Sequence, residues 1–277
     1  MRRLPADGKS LGFAGPRTGV QHLRLEGWNA IVSGGAAGAG GAASELFARE
    51  GARIAVVDIQ EAAGEATAAR IRDAGGEAFF VGADVSDGAQ VAAAVSRIME
   101  HFGGRIDTLY NHAGTVIVKP FLDTTEADWD WMMGVNVRSM FLMTKAVLPS
   151  MLAAGKGTIV NTSSISAVAG TPKEVLYCTS KGACHMFTRA IAVEFRDQGI
   201  RCNAVCPGFI RTDHGLRELK ELRALGVDVT EEDIVKLQGR ICEPEEVASA
   251  ALFLAGPESS FVNGETLFVD NAMLVGT

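Results

Sequence analysis

The feature that most constrains the fold of this chain is a regular alternation, from Trp28 onward, of short apolar runs with longer amphipathic stretches. Each run is nearly all apolar instead of alternating between apolar and polar residues, which is typical of strands covered by helices on both faces. Strands that alternate with helices form a parallel sheet with right-handed crossovers. The pattern therefore predicts an α/β fold in which helices cover both faces of one doubly wound parallel sheet.

The alternation places seven strands and six helices along the chain. The predicted strands are Ala30–Ser33, Arg53–Val57, Ala78–Val81, Ile106–Tyr110, Thr158–Asn161, Ile200–Val205 and Leu267–Val269. The predicted helices cover residues 40–50, 61–74, 88–102, 126–153, 173–197 and 244–255. The rhythm breaks at about residues 211–240, in a stretch dense in charge. This stretch is either a solvated helical insertion or a lid over the carboxyl ends of the strands, where ligands bind; the two interpretations are compatible.

The first residues of the chain differ in character from the rest. Residues 1–24 scatter arginines among glycines and prolines and lack the apolar run of a secretory signal. We expect a disordered extension or the product of an upstream start codon here, with a transit peptide as the alternative. Residues 25–277 are then expected to form one domain, which includes the insertion.

Composition and charge exclude several classes of partner. The 26 Lys and Arg residues against 33 Asp and Glu residues give a net charge of −7. An acidic chain without a basic cluster has no electrostatic reason to bind nucleic acid or an anionic bilayer, and no apolar run approaches the roughly 18 residues of a membrane-spanning helix. The five cysteines contain no CxxC pair, which favours reduced thiols in a cytoplasmic protein over a disulfide framework or a metal site.

A glycine-rich loop follows the first predicted strand and runs into a helix, with glycines at positions 34, 35, 38 and 40. Such glycines allow a tight turn and let backbone amides reach a pyrophosphate at the helix N-terminus. Asp58 stands at the end of the next strand, 20 residues after Gly38, and this context predicts a dinucleotide site of the Rossmann type. Asp58 can accept hydrogen bonds from both ribose hydroxyls but repels a 2′-phosphate, so NAD is favoured over NADP.

A second group of residues, in the C-terminal half, points to catalysis. Tyr177 and Lys181 are four residues apart on a predicted helix, so both lie on one face within contact range. Ser164 stands 13 residues before Tyr177, just beyond the end of a predicted strand. Chemistry is expected at the carboxyl ends of the strands of a parallel sheet.

Together these residues resemble the short-chain dehydrogenase/reductase family over about residues 25–275. The resemblance implies a Rossmann-like fold with catalytic residues Asn136, Ser164, Tyr177 and Lys181, and no metal. The predicted cofactor-binding residues are Gly34, Gly38, Ala39, Gly40, Asp58, Asp84, Val85, Asn111, Ala113, Gly114, Tyr177, Lys181, Pro207, Gly208, Ile210 and Thr212. Departures from the family pattern include His112 in place of a usual Asn; we interpret it as a tolerated structural substitution, with contact to cofactor or substrate as the alternative.

The resemblance implies hydride transfer between a nicotinamide and a secondary alcohol or ketone, with Tyr177 as general acid or base. The ordinary pKa of tyrosine, near 10, is about three units too high for this role at neutral pH. An ammonium about 5 Å away supplies about 3 kcal/mol at an effective dielectric constant near 20, so Lys181 is predicted to lower that pKa. Ser164 would bind the carbonyl oxygen. By resemblance, Lys181 also holds the nicotinamide ribose and Asn136 takes part in a proton relay.

Specificity is predicted from the segments next to these residues. The candidate pocket residues are 115–118, 166–168, Val175, Leu176 and Phe209 onward, mostly apolar. We therefore expect a largely apolar small-molecule substrate, cyclic or 3-hydroxyacyl. His214, at the start of the insertion, is expected on the surface, with a polar substrate contact as the alternative.

The helices predicted at 126–153 and 173–197 resemble those through which this family assembles, so we expect a homotetramer. Trp129, Trp131, Met132 and Met133 are expected in the core or an interface. Two alternative functions stay open. An NADPH-dependent 3-oxoacyl-type ketoreductase is disfavoured by Asp58, and a non-catalytic dinucleotide-binding sensor is disfavoured by the four intact catalytic positions.

Overall fold

The computed structural model describes residues 23–276 and contains a seven-stranded parallel sheet of order β3-β2-β1-β4-β5-β6-β7. The strands are β1 Asn29–Ser33, β2 Arg53–Asp58, β3 Glu77–Gly82, β4 Thr108–Asn111, β5 Gly157–Thr162, β6 Ile200–Pro207 and β7 Thr266–Val269. The predicted fold class is confirmed, and each strand lies within about two residues of its predicted bounds. The extension predicted over residues 1–24 lies outside the described residues, except for Leu23 and Arg24.

Nine α-helices occur in the described part of the chain. They are α1 Gly38–Arg49, α2 Glu61–Asp73, α3 Gly88–His101, α4 Glu126–Met133, α5 Ser139–Ala154, α6 Val175–Phe195, α7 Asp213–Ala224, α8 Glu231–Gln238 and α9 Pro244–Ala255. The prediction of one continuous helix over residues 126–153 was wrong, because a π-helical turn, Gly134–Arg138, separates α4 from α5. No helix within residues 23–276 is long and apolar enough to cross a bilayer.

Helices cover both faces of the sheet, which explains why the strands are apolar throughout. Val32 belongs to one core with Phe47 of α1 and Val247 of α9. Its neighbour Ile31 points the other way, into a core with Val147 of α5. Because successive side chains of a strand point to opposite faces, both must be apolar here.

The strand order reverses between β1 and β4, which are neighbours in the sheet although β2 and β3 intervene along the chain. In open parallel sheets a crevice forms at such a switch point, outside the carboxyl ends of the strands. The glycine loop leaves β1 there, and His112 follows β4. The fold therefore places the predicted cofactor loop at the edge where a ligand site is expected.

The insertion at residues 211–240 forms helices α7 and α8 over this same edge of the sheet. The two helices share a small core of Leu219, Ile234 and Ile241. Gln238, which is 1% exposed, holds the root of the insertion. Its Oε1 accepts a hydrogen bond from the Phe209 N–H (2.8 Å) and its Nε2 donates one to the Phe209 carbonyl (3.0 Å). The insertion thus has its own apolar interior and is fastened where β6 ends.

Candidate active site

A cavity of about 860 Å³ lies between the carboxyl ends of the strands and the insertion. Its size is typical of a site for a small molecule and cofactor. Most predicted site residues line it: Gly34, Gly38, Ala39, Asp58, Asp84, Val85, Ala113, Gly114, Ser164, Tyr177, Lys181, Pro207, Gly208, Ile210 and Thr212. The structure thus brings together residues from both halves of the sequence.

The glycine loop is packed so closely that side chains do not fit. Gly34 has φ +69°, and a Cβ there would lie 2.8 Å from the Cα of Ala113. A Cβ on Gly40 would lie 2.0 Å from the Gly34 carbonyl oxygen. Helix α1 begins at Gly38 after Ala37, whose side chain makes no capping hydrogen bond. The first N–H groups of the helix are therefore available to an anion, and the loop fits a dinucleotide pyrophosphate.

The Asp58 carboxylate is held in place by two backbone amides at the end of β2. Its Oδ2 accepts from the Ala36 N–H (3.2 Å) and its Oδ1 accepts from the Gln60 N–H (3.0 Å). Among the described residues that line the cavity, the Lys and Arg side chains are Lys181 and Arg217, which belong to α6 and α7. The wall around Asp58 therefore carries an anion and no cation of its own.

Three predicted site residues lie behind the cavity wall instead of on it: Gly40, Asn111 and Asn136. The buried Asn111 side chain donates to Asn161 Oδ1 (2.9 Å) and Thr144 Oγ1 (3.2 Å), so it ties β4 to β5 and α5. The sequence pattern groups Asn111 with the cofactor contacts, but its side chain holds together the strands beneath them.

Asn136 lies in the π-helical turn and connects three parts of the site. Its Nδ2 donates to the Thr115 carbonyl and to Ser180 Oγ, both at 2.9 Å, and its Oδ1 accepts from the Thr115 N–H at 2.8 Å. A Cβ on Gly114 would lie 3.4 Å from Asn136 Oδ1 and 3.5 Å from Lys181 Nζ. Asn136 therefore fixes the loop after β4, and Gly114 of that loop lies next to both Asn136 and Lys181. Single π turns of this kind are frequent at functional sites.

Ser164, Tyr177 and Lys181 meet on the wall where β5 ends and α6 begins. The Lys181 ammonium donates to the Thr162 carbonyl (2.9 Å) and lies 5.6 Å from the centre of the Tyr177 ring. The Ser164 hydroxyl lines the same wall and lowers the pKa of Tyr177. The helical spacing of Tyr177 and Lys181 thus brings a phenol and an ammonium to one face, opposite a strand-end hydroxyl.

Two histidines also line the cavity. His112 Nδ1 lies 3.2 Å from the Tyr110 hydroxyl and 3.0 Å from the Thr162 hydroxyl. Burial and the nearby Lys181 charge lower the pKa of His112 to about 3, so the ring is neutral. His112 therefore has the structural contacts expected of it and also faces the cavity. His214, expected on the surface, is partly exposed and lies on the same wall, 4.0 Å from Glu218.

Comparison with known proteins identifies the family. The family profile described as enoyl-(acyl carrier protein) reductase matches residues 34–273. Cyclopentanol dehydrogenase of Comamonas sp. is 42% identical over 243 residues, which cover 87% of this chain and 94% of that protein. The chain belongs to the short-chain dehydrogenase/reductase family.

Solved structures agree with this assignment. The crystal structure of levodione reductase superposes with a TM-score of 0.87 at 32% identity, covering 92% of this chain and all of that one. A gluconate 5-dehydrogenase from Burkholderia cenocepacia, in complex with NADP and tartrate, has a TM-score of 0.82 at 33% identity, covering 92% of this chain and 98% of that one. This short-chain dehydrogenase/reductase is thus a nicotinamide-dependent oxidoreductase that acts on CH–OH donors.

The electrostatics around Tyr177 in this short-chain dehydrogenase/reductase differ from the expectation drawn from Lys181 alone. Burial raises the pKa of Tyr177, the charge of Glu218 raises it further, and the hydrogen bond from Ser164 lowers it. Burial also lowers the pKa of Lys181. Burial of the phenol and the nearby carboxyl groups, which the sequence does not reveal, oppose the effect expected of the Lys181 ammonium. In this structure the phenol therefore keeps its proton at neutral pH.

Two glutamates near Tyr177 were missed by the sequence reasoning. Glu174 directly precedes α6 and is 1% exposed, and Glu218 of α7 lines the cavity. Burial raises the pKa of both carboxyl groups, and the nearby Glu218 charge raises that of Glu174 further. No motif marks either residue, because the two lie on different elements 44 positions apart in the chain.

The predicted specificity residues are partly on the cavity wall. Thr115, Ser166 and Phe209 line it, whereas Val168, Val175 and Leu176 do not. Trp131, expected in the core or an interface, also lines the wall. The insertion supplies further apolar residues: Leu219, Leu222, Val227, Val229, Ile234 and Leu237. The prediction of a lid at about residues 211–240 covered this segment without naming these residues.

Proposed function

We propose that this protein is an NAD-dependent dehydrogenase that interconverts a largely apolar cyclic secondary alcohol and its ketone. The observation that carries the proposal is the meeting of Ser164, Tyr177 and Lys181 on the wall of a cavity that also contains the glycine loop. The name of its relative cyclopentanol dehydrogenase supports a cyclic alcohol as substrate. The apolar residues of the insertion support an apolar one.

Tyr177 is the proposed general acid and base. In reduction its phenol donates a proton to the substrate oxygen, and in oxidation the phenolate accepts that proton from the hydroxyl. The Ser164 hydroxyl donates a hydrogen bond to the same oxygen as its charge develops. The nicotinamide, when bound, supplies the hydride acceptor or donor. The position of Ser164 and Tyr177 on one cavity wall and the 5.6 Å between Lys181 Nζ and the centre of the Tyr177 ring support these roles.

Lys181 and Asn136 are proposed to support proton movement at Tyr177. The Lys181 ammonium, fixed on the Thr162 carbonyl, stabilises the ionised phenol against its burial. Lys181 also holds the nicotinamide ribose in this proposal. Asn136, which is bonded to Thr115 and Ser180 behind the lysine, is proposed to hold the relay that returns protons to solvent.

NAD is the proposed cofactor because the Asp58 carboxylate faces the cavity and the cations on the wall lie on other elements. A fixed carboxylate accepts hydrogen bonds from ribose hydroxyls and repels a 2′-phosphate. The remaining proposed cofactor contacts are the glycine loop, Asp84 and Val85 after β3, Ala113 and Gly114, and the segment from Pro207 to Thr212.

We also propose a cytoplasmic homotetramer. All five cysteines are free, as in proteins of a reducing compartment. Exposed apolar side chains, among them Phe141 of α5 with Met186 and Val193 of α6, lie on the helices through which the family resemblance predicts assembly. Light scattering tests this directly, since a monomer mass at micromolar concentration would contradict it.

The experiment that tests the function follows reduced-nicotinamide absorbance with NAD and with NADP. The panel contains cyclopentanol, cyclohexanol and a 3-hydroxyacyl thioester, and Tyr177→Phe is the control. We expect turnover of the cyclic alcohols with NAD and a loss of 10²- to 10⁴-fold in Tyr177→Phe. Turnover of the thioester with NADP would favour the 3-oxoacyl ketoreductase alternative, and tight NAD binding without turnover of any alcohol would favour the sensor.

A further inference from the structure

The turn at residues 270–274, which follows β7, has an unusual backbone. Within residues 23–276, three residues other than glycine have a positive φ: Lys173 (68°), Asn271 (46°) and Ala272 (65°). Left-handed backbone is costly for a residue with a Cβ, and such residues normally occur singly. Strained backbone persists where surrounding contacts hold it, and it is concentrated at ligand sites. Ala272 directly precedes Met273, which lines the cavity.

Asp270 holds this turn closed. Its Oδ1 accepts a hydrogen bond from the Ala272 N–H (3.2 Å), and its Oδ2 accepts one from the Leu274 N–H (3.0 Å). The Asp270 carbonyl accepts a third from the Met273 N–H (3.0 Å). One buried residue thus fixes the N–H groups of three successive residues. Met273 therefore has a defined position relative to the end of β7.

The turn is also fastened to the insertion. Asn271 Nδ2 donates a hydrogen bond to the carbonyl of Gln238 (2.7 Å), the last residue of α8. Gly208, which follows β6, contacts both parts, because an added Cβ there would lie 2.3 Å from Gln238 Oε1 and 3.3 Å from the Asp270 Cα. The turn, the root of the insertion and the end of β6 therefore pack together as one unit.

The sheet order places Met273 on the substrate side of the cavity. Strand β7 is the edge strand next to β6, whereas the glycine loop and Asp58 follow β1 and β2, several strands away. The insertion contributes apolar residues to the cavity wall, among them Leu237, which precedes Gln238. Met273 is partly buried on the same wall. Methionine is flexible and polarisable, so it packs well against irregular apolar groups.

We propose that Met273 is a specificity-determining residue that limits the size of the ring of the substrate, and that the strained turn at residues 270–274 holds it in place. Alcohols with small rings are then preferred over those with large rings. This inference rests on the proposed function, because it takes the reacting carbon to lie at Tyr177 and the ring to extend towards the end of β7.

The contacts of the turn explain why its wall would resist a larger ring. Moving Met273 outward would break the hydrogen bonds that the Asp270 side chain and carbonyl accept. It would also pull on the bond between Asn271 and Gln238, and thereby on the root of the insertion. A methionine on a flexible loop would yield to a bulky substrate, whereas one on a turn fixed at both ends yields only through its own side chain.

The test uses cyclopentanol and cyclooctanol as substrates with NAD. The quantity measured is the ratio of kcat/KM for cyclooctanol to that for cyclopentanol. Met273→Ala removes the Cγ, Sδ and Cε atoms, and we expect it to raise this ratio about 10-fold or more. Met273→Leu keeps a similar volume and should leave the ratio within about 2-fold of that of the wild type. Leu274→Ala is the matched control, because it shortens the adjacent side chain at a position that does not line the cavity.

Asn271→Gly tests the role of the turn. Glycine adopts the left-handed backbone without strain, so this change removes the hydrogen bond to Gln238 and leaves the shape of the turn possible. We expect the ratio for the two alcohols to rise about 2- to 5-fold, with kcat/KM for cyclopentanol nearly unchanged. A merely structural role would lower kcat/KM for both alcohols equally.

Three results would overturn the proposal. The first is an unchanged ratio in Met273→Ala. The second is a wild-type protein that turns over cyclooctanol as well as cyclopentanol. The third is a rise in Leu274→Ala as large as that in Met273→Ala, which would show a general loosening of the turn.

Failure of the proposed function gives a different result. If the wild type oxidises neither alcohol, the reaction proposed above is wrong, and calorimetric binding of cyclooctanone and cyclopentanone in the presence of NADH still measures the size limit. Binding of cyclooctanone that strengthens in Met273→Ala more than binding of cyclopentanone supports the role of Met273. Equal changes for the two ketones, or no binding of either, overturn it.

Discussion

The two halves of the cavity are built in different ways. On the proposed cofactor side, the centre of the wall is the glycine loop with Asp58, and these residues lie on consecutive elements of the chain, β1, α1 and β2. On the substrate side, the wall combines side chains of α6 with those of the insertion, which follows much later in the chain. The comparison teaches that local spacing encodes the cofactor half, whereas tertiary packing determines the substrate half.

The strongest test of the cofactor half is Gly34→Ala. The new Cβ would lie 2.8 Å from backbone atoms of Ala113, at a residue with φ +69°. We expect a loss of about 3 kcal/mol or more in the free energy of unfolding and a fall of more than about 10-fold in NAD affinity. Urea denaturation and fluorescence titration with NADH measure the two effects.

Gly27→Ala is the matched control, because Gly27 has φ +72° but nothing lies within 4 Å of an added Cβ. It separates the cost of the left-handed backbone, about 1 kcal/mol, from the cost of the close approach. Equal effects of the two substitutions would mean that the packing of the loop against Ala113 does not matter.

The next prediction concerns the substrate half and the pH dependence of stability. Burial and the neighbouring carboxylate raise the pKa of Glu174 to about 8, from 4.5. The folded protein therefore holds a proton that the unfolded chain releases above about pH 4.5. The stabilisation is complete below that pH and is lost as pH rises towards 8, at no more than about 1.4 kcal/mol per pH unit for one proton.

Urea denaturation of wild type and Glu174→Gln at pH 5, 6, 7 and 8 checks this prediction. We expect the free energy of unfolding of the wild type to fall across the series relative to that of the variant, which lacks the titrating group. Glu221→Gln, at a partly exposed position on α7, should follow the wild type. Parallel curves for wild type and Glu174→Gln would show that the folded protein does not hold a proton on Glu174 in this pH range.

The features that the sequence predicted depend on local spacing, and those that it did not predict depend on tertiary packing. The strands were predicted because each is a continuous apolar run, and Asp58 because it ends a strand 20 residues after Gly38. The π-helical turn at Asn136 was not, since the sequence there continues a helical pattern. Glu174 resembles a solvated acidic residue at a helix start. It is 1% exposed in the folded protein, and no local sequence pattern predicts that burial.

Asp58→Asn sharpens the account of the cofactor half. The substitution removes the negative charge of the side chain and keeps its shape. It should therefore weaken the repulsion of the 2′-phosphate of NADP, and it should also weaken one or both hydrogen bonds to the ribose of NAD. We expect the ratio of kcat/KM with NAD to that with NADP to fall about 10-fold. Asp84→Asn, also at the end of a strand on the wall, is the comparison. An equal change in both variants would indicate a general effect of charge and not a contact with the ribose.

The smallest expected effect comes from loosening the root of the insertion with Gln238→Ala. This change removes the side-chain hydrogen bonds that hold the Phe209 N–H and carbonyl; the carbonyl keeps the Cys242 N–H at 3.2 Å, and the Phe209 N–H loses its partner. We expect KM for the alcohol to rise a few-fold, because the insertion lines the substrate half, with a cost of about 1 to 3 kcal/mol in stability. The Kd of NADH should change less than KM. Lys236→Ala, an exposed position on the same helix, should alter neither quantity. If Gln238→Ala weakened NADH binding as much as alcohol binding, the cofactor and substrate halves of the cavity would not be independent. The connection would run through Gly208, which packs so closely on Gln238 that an added Cβ would lie 2.3 Å from Gln238 Oε1.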